Sequence, residues 1–191
     1  MIPYFLKINI PNYADMKQQL EIAVRPFVNE QLRYKDVSHN WISEYAPLLY
    51  TFLESRKKQQ IRMHRIYISP ANSELIPHVD GHSKLKSPLG LNLPIIGYQG
   101  INMDWYSCPA DNFKDGPYGF GRTTACRIID FSLLKKEVST IIDGPTFVRQ
   151  DLPHGVNNNQ PIPRVVLSVR FQQTPSSGQE FNEVLDFEDL L

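Results

Sequence analysis

The hydrophobic period of the chain changes near residue 62. After a strand-like opening at 4–10, closed by Pro11-Asn12, Met16, Leu20, Ala23, Val24 and Phe27 recur every three or four positions. That spacing lines one face of an α-helix. Ile42, Tyr45, Leu49, Phe52 and Leu53 predict a second helix over 41–60, which runs into the basic cluster Arg56-Lys57-Lys58. Cations suit the C-terminal end of a helix dipole, so the cluster reads as a solvated helix end. Beyond residue 61 the alternation is that of strands. Segments 63–69, 75–80, 91–96, 101–106, 127–131, 146–150 and 164–171 are apolar or alternating. Turn residues separate them, among them Gly81, Gly97, Gly100, Asp143-Gly144-Pro145 and Asn157-Asn158-Asn159. Short strands at this spacing predict a sandwich or barrel. Helices that precede the strands, instead of alternating with them, exclude a doubly wound α/β fold. The expected architecture is mainly β with N-terminal helices: a double-stranded β-helix (a cupin-like jelly roll). One domain is expected, with helical support over 1–62, a catalytic core over 63–172 and an acidic tail over 173–191.

Composition narrows the function classes. A length of 191 residues suits one domain that buries a core without staples. Twenty basic and twenty acidic residues give zero net charge, which argues against a nucleic-acid partner. Two cysteines, Cys108 and Cys126, read as reduced thiols of a cytosolic-type compartment. No apolar run approaches the ~20 residues of a membrane helix. The opening Met1-Ile2-Pro3-Tyr4-Phe5-Leu6 lacks the pattern of a signal peptide. A cytoplasmic protein acting on a small molecule or peptide is expected.

The chemistry concentrates in three residues. His78 and Asp80 lie two apart in a predicted strand, so their side chains share a face. His154 stands after the strand over 146–151, where that strand would end near a barrel mouth. Two imidazoles and one carboxylate on one face of an octahedral ion leave three positions open, the arrangement of non-haem Fe(II) oxygenases. Such sites need neutral imidazoles and an ionised carboxylate, so metal affinity should fall in acid. A His-x-Asp pair alone is weak, and His154 alone reads equally as a buried structural histidine. Arg164 adds weight. It begins the apolar run Arg164-Val165-Val166-Leu167-Ser168-Val169, where a permanent cation with a planar fork requires a carboxylate partner. Arg170 is its rival, six residues on and about 20 Å along the same face. Arg164, nearer to His154, is assigned to the metal pocket, and Arg170 to a surface or rim carboxylate.

With these residues in place the chain resembles the Fe(II)/2-oxoglutarate-dependent oxygenases. The block LPHGVNNNQPIPRVVLSVRF resembles most the aspartyl/asparaginyl β-hydroxylase-like and small phage or bacterial branches. GLNLPI followed by INMDWY is similar to the third and fourth barrel strands of such small members. The resemblance covers about residues 63–172. It implies Fe(II) held by His78, Asp80 and His154, with 2-oxoglutarate gripped by Arg164. Many relatives place a serine two residues after that arginine. Here the position is Val166, and Ser168 stands further along the same face. Some β-hydroxylase relatives lack the carboxylate ligand, whereas this chain keeps Asp80.

Asn92 is a candidate second contact to the co-substrate, or a satisfied core amide. Trp105 and Tyr106 are candidates to line the substrate pocket, or to pack in the core. His82 is a candidate rim residue. His64 and His39 lack suitably spaced carboxylates and are not assigned to metal. The glycine-rich stretch 107–124 reads either as a lid over the entrance or as an inserted loop. Two alternatives to the oxygenase reading stay open: a cupin-type metal enzyme that does not use 2-oxoglutarate, and a non-catalytic β-sandwich module with a binding or structural role.

Overall fold

A computed structural model of the chain describes residues 4–30, 33–56, 61–80, 86–115 and 126–172. The acidic tail over 173–191, His82 and the second half of the glycine-rich stretch (116–124) lie outside them. In chain order the elements are β1 (Phe5–Lys7), α1 (Tyr13–Asn29), β2 (Tyr34–Val37), α2 (His39–Tyr45), α3 (Pro47–Ser55), β3 (Ile61–Ser69), β4 (Ser73–His78), β5 (Lys86–Ile96), β6 (Asn102–Ser107), β7 (Phe113–Asp115), β8 (Cys126–Ile128), β9 (Lys135–Ile141), β10 (Thr146–Arg149), β11 (His154–Asn158) and β12 (Arg164–Gln172). Six strands form a major sheet in the order β1-β10-β5-β12-β3-β2, and four form a minor sheet in the order β4-β11-β6-β9. All these pairings are antiparallel. The described chain is thus mainly β with three helices, as expected of a helix-buttressed jelly roll. No helix among the described residues is long and apolar enough to cross a membrane.

Two-residue periodicity decides where the core and the site lie. On β12, Val165, Leu167, Val169 and Phe171 join Leu89, Leu91, Leu93 and Ile95 of β5 against the helices. Leu20, Val24, Ile42, Leu49 and Leu53 cover them from α1, α2 and α3. Alternate residues of β12 (Arg164, Val166, Ser168 and Arg170) point the other way, toward the minor sheet. There a smaller core of Ile101, Met103, Trp105, Ile142, Val148 and Val156 fills one part of the gap. The remaining part is the cavity described below. Both faces of β12 are therefore buried, and its polar residues are enclosed, not solvated.

Several expectations need correction. The single helix predicted over 41–60 is two helices, because Pro47 forbids a helical conformation at Ala46, whose φ is −139° and ψ 60°. Besides the expected opening strand, now β1, the first 62 residues hold the unforeseen β2, and the two extend the major sheet at its edges. Strand β9 (KKEVSTI) escaped the pattern reading because it is an edge strand with mostly exposed side chains. Of the stretch 107–124, residues 113–115 form β7, which pairs with β8 in a separate two-stranded ribbon. Residues 107–112 end β6 and make a 3-10 turn at Ala110–Asn112, while 116–124 lie outside the described residues, and the lid reading with them. Cys108 is a free thiol.

His64 gives the fold a pH dependence. Its ring is 4 % exposed and its Nε2 has no hydrogen-bond partner. It lies against His39, with ring centroids 5.4 Å apart, and His39 is bonded to Glu54 at 3.0 Å. Burial, reinforced by His39, pushes the His64 pKa down to about 4. The folded state therefore resists a proton that the unfolded chain takes up near pH 6.5. Stability should fall as pH drops from about 6.5 to about 4, by on the order of 3 kcal/mol, and be insensitive to this group above that window. Urea denaturation of wild type and His64→Gln across pH 4–7 checks this, since the difference between them should track that window.

Candidate metal centre

Strands β4 and β11 are neighbours in the minor sheet, and His154 is the direct cross-strand partner of His78. The pairing then slips, so that Val156 faces Leu75. Ile76 and Pro77 on β4 are matched by Gly155 alone on β11. Pro77 has no N–H to give to a ladder, and a bulge is where a strand tolerates such a residue. A Cβ on Gly155 would sit 2.9 Å from the Leu75 carbonyl oxygen, so glycine allows the close approach. The bulge turns the end of β4 toward β11, and the His78 and His154 ring centroids lie 4.6 Å apart.

Backbone carbonyls fix both rings. His78 Nδ1 donates to Ile76 O at 3.0 Å, and His154 Nδ1 donates to Leu152 O at 2.9 Å. A carbonyl only accepts, so each Nδ1 carries a proton, and each ring when neutral presents its lone pair on Nε2. Asp80 follows β4, and its backbone N–H donates to Gln150 O at 2.9 Å, which ties it to the end of β10. Its Oδ1 lies 3.3 Å from His78 Nε2, and its Oδ2 lies 3.9 Å from His154 Nε2. One ligand atom from each of the three residues lies within 4.8 Å of the others. His154 thus begins its own strand, β11, instead of ending the preceding one as expected from sequence.

Protonation states at Asp80 and His154 suit metal binding. Burial opposes ionisation of Asp80, but Arg170, together with His78 and His154, overrides it and holds the carboxyl well below its usual range. Burial and the neighbouring His78 push the His154 pKa down to about 4, which keeps that imidazole neutral. An ionised carboxylate and imidazole lone pairs aimed at one point are a donor set for a divalent transition metal.

The triad opens into a cavity of about 160 Å³, walled also by Tyr67, Asn92, Met103, Gln150, Val156, Arg164, Val166 and Arg170. Arg164 is 6 % exposed, and among the described residues no side chain or carbonyl accepts from its guanidinium. Burial alone lowers its pKa to about 10. Asn92 lies on the cavity wall with a buried, unpartnered Oδ1. Ser168 is its cross-strand partner, fully buried and with a hydroxyl that has no hydrogen-bond partner among the described residues. It does not reach the cavity wall.

One assignment changes, and two open alternatives close. Arg170 does not pair with a surface or rim carboxylate: its Nη2 donates to Asp80 Oδ2 at 2.6 Å and to Tyr67 OH at 3.2 Å. Both arginines of β12 line one cavity, together with Val166 between them on the same face of the strand. Trp105 does not line it. Its side chain lies in the inter-sheet core against Tyr4 and Phe5, and its Nε1 donates to Arg149 O at 2.9 Å. Tyr106 is also off the wall, with its hydroxyl directed to Asp104 at 3.4 Å. Sequence reading missed Gln150, which is 2 % exposed and lies on the wall with an unpartnered Oε1. A signal existed in Gly90, where a Cβ would meet the Gln150 carboxamide at 2.2 Å. A glycine inside a strand marks such close approaches.

No protein-family profile matches the chain, and no curated protein sequence does. Solved structures do. The chain is similar to the non-haem α-ketoglutarate-dependent carbocyclase SnoK from nogalamycin biosynthesis, at TM-score 0.60 and 10% identity over 89% of this chain and 79% of that one. It is similar to the epimerase SnoN, solved with Fe3+, α-ketoglutarate and nogalamycin RO, at TM-score 0.57 and 12% identity over 94% and 89% of the two chains. A Pseudomonas putida prolyl-4-hydroxylase matches at TM-score 0.54 and 11% identity over 89% and 91%. The chain has the fold of these enzymes. Carbocyclisation, epimerisation and hydroxylation on one fold also mean that the fold leaves the outcome of the reaction open.

Proposed function

We propose that this protein is a non-haem Fe(II)- and 2-oxoglutarate-dependent dioxygenase that hydroxylates a C–H bond of an amino acid, a peptide side chain or another small molecule. One observation carries the reading. A convergent His78-Asp80-His154 set and a buried guanidinium with no acceptor among the described residues share one cavity. Iron fits the donor set, and the distal carboxylate of the keto acid fits the charge and fork of Arg164. The match to solved oxygenases in fold agrees with it. Within that superfamily, the C-terminal block supports placement near the small β-hydroxylase-like members, and the two facing sheets support a double-stranded β-helix.

In this reading His78, Asp80 and His154 hold the metal, and Arg164 orients 2-oxoglutarate. Asn92 offers a further contact from the opposite strand. Bound together, metal and keto acid supply an oxidation in which dioxygen is divided, one atom going to succinate as CO2 leaves and the other to the substrate. The fixed Nδ1–H bonds keep both imidazoles in the ligating tautomer, and the apolar walls at Met103, Val156 and Val166 limit water.

The test is anaerobic. Fe(II) followed by 2-oxoglutarate should give the visible charge-transfer band of a keto acid chelated to iron. His154→Ala should remove the band while circular dichroism stays unchanged. Dioxygen should then yield succinate from wild type and none above background from the variant. A folded, iron-loaded wild type without the band would overturn the reading in favour of a cupin-type enzyme of other chemistry. Failure to bind metal at all would favour a binding or structural module.

A further inference from the structure

Among polar groups of the cavity, Arg170 poses a physical problem. A guanidinium beside a site for a divalent cation weakens metal binding by repulsion, and its own burial costs free energy. The structure nevertheless fixes it on two sides. Its Nη2 reaches Asp80 Oδ2 at 2.6 Å and Tyr67 OH at 3.2 Å, while its Nε is buried without a partner. The backbone of Arg170 faces Gly90, so no side chain from β5 intrudes between it and the site. Resting on the reading of the triad as an iron site for a keto acid, we infer that Arg170 is a positioning residue that limits Asp80 to one ligating oxygen.

The argument concerns the two carboxylate oxygens. Oδ1 faces His78 Nε2 at 3.3 Å and receives no hydrogen bond from Arg170. Oδ2 receives a short charge-assisted bond, which draws electron density from it and restrains rotation of the carboxylate. A free carboxylate can close on an ion with both oxygens and so occupy one more position. With two histidines and one carboxylate oxygen, three positions of an octahedral ion remain, and a chelating keto acid with dioxygen requires all three. Arg170 thus favours co-substrate binding at some expense in metal affinity, and Tyr67 holds the guanidinium in place from β3.

The test separates those two affinities in the protein, using Fe(II) and then 2-oxoglutarate without oxygen. Arg170→Met should retain or strengthen Fe(II) binding yet weaken 2-oxoglutarate binding, read from the charge-transfer band, by roughly 10- to 100-fold, as for other groups that orient a metal ligand. Arg170→Lys, which returns a cationic donor, should recover part of that loss. Tyr67→Phe removes one hydroxyl and leaves the ion pair, so it folds even if Arg170→Met does not, and it should show the same split at smaller size. Parallel loss of metal and keto-acid binding would overturn the inference, because Arg170 would then only hold Asp80 in place. So would unchanged keto-acid binding in Arg170→Met and Tyr67→Phe. Wild type distinguishes this from the larger question: a wild type without the band contradicts the enzyme assignment, whereas a band equal in wild type and variants contradicts the role of Arg170 alone.

Discussion

Arg164→Met should make the protein more stable and less able to bind its co-substrate. The guanidinium is 6 % exposed, no group among the described residues accepts from it, and burial lowers its pKa to about 10. It therefore bears a desolvation penalty with no compensating ion pair. Replacing it by an apolar side chain of similar length should relieve on the order of 1–3 kcal/mol, seen as a higher urea midpoint of the metal-free protein. The same change removes the partner proposed for the distal carboxylate of 2-oxoglutarate. Losing one member of a buried charged pair costs about 2–5 kcal/mol, or roughly 30- to 4000-fold in affinity. Titration of the charge-transfer band measures that loss. An arginine that served only to hold the sheets together would give the opposite sign in the unfolding experiment.

Asp80→Ala should behave in the reverse sense. Asp80 is the carboxylate that neutralises Arg170, and both side chains are largely buried. Removing it strands a buried cation, a loss of about 3–5 kcal/mol in the metal-free protein. Metal binding should disappear as well, since only two imidazoles remain. The double variant Asp80→Ala/Arg170→Met tests the cause. It should recover most of the lost stability while recovering no metal binding, because the charge pair and the ligand set are separate demands on one residue. If the double variant is no more stable than Asp80→Ala alone, the ion pair is not what stabilises this end of β12. Together the variants predict that two arginines six residues apart on one strand have opposite effects on stability. One has no acceptor among the described residues, and the other is paired with Asp80.

Much of this is written locally in the chain. The three- and four-residue spacing in α1 and the alternation along β5 and β12 report which face of each element is apolar, and burial of that face largely decides the element. The ligand pair is legible for the same reason: residues two apart at a strand end share a side, so His78 and Asp80 are brought together by backbone geometry alone. Arg164 stood out because a charge inside an apolar run demands a partner. Edge strands were less legible. In β2 and β9 both faces are largely wet, so no alternation is imposed on their residues, and β11 begins with His-Gly and ends with Asn-Asn, which read as a turn.

Relations across the sheets belong to the tertiary structure. That His154 lies opposite His78, with a bulge at Pro77 and Gly155 aiming the two rings, depends on a pairing between segments more than seventy residues apart in the chain. Sequence separation likewise suggested that one arginine of β12 would face the metal and the other the rim. The cavity takes in both, and the carboxylate that Arg170 meets is Asp80 itself. Gln150 enters the wall because Gly90, on a neighbouring strand, leaves room for it. Local pattern specified the elements and the residue types capable of the chemistry. Only the packing of one sheet over the other decided which of them meet, because contacts between distant segments follow from register and strand order, which a hydrophobic period does not encode.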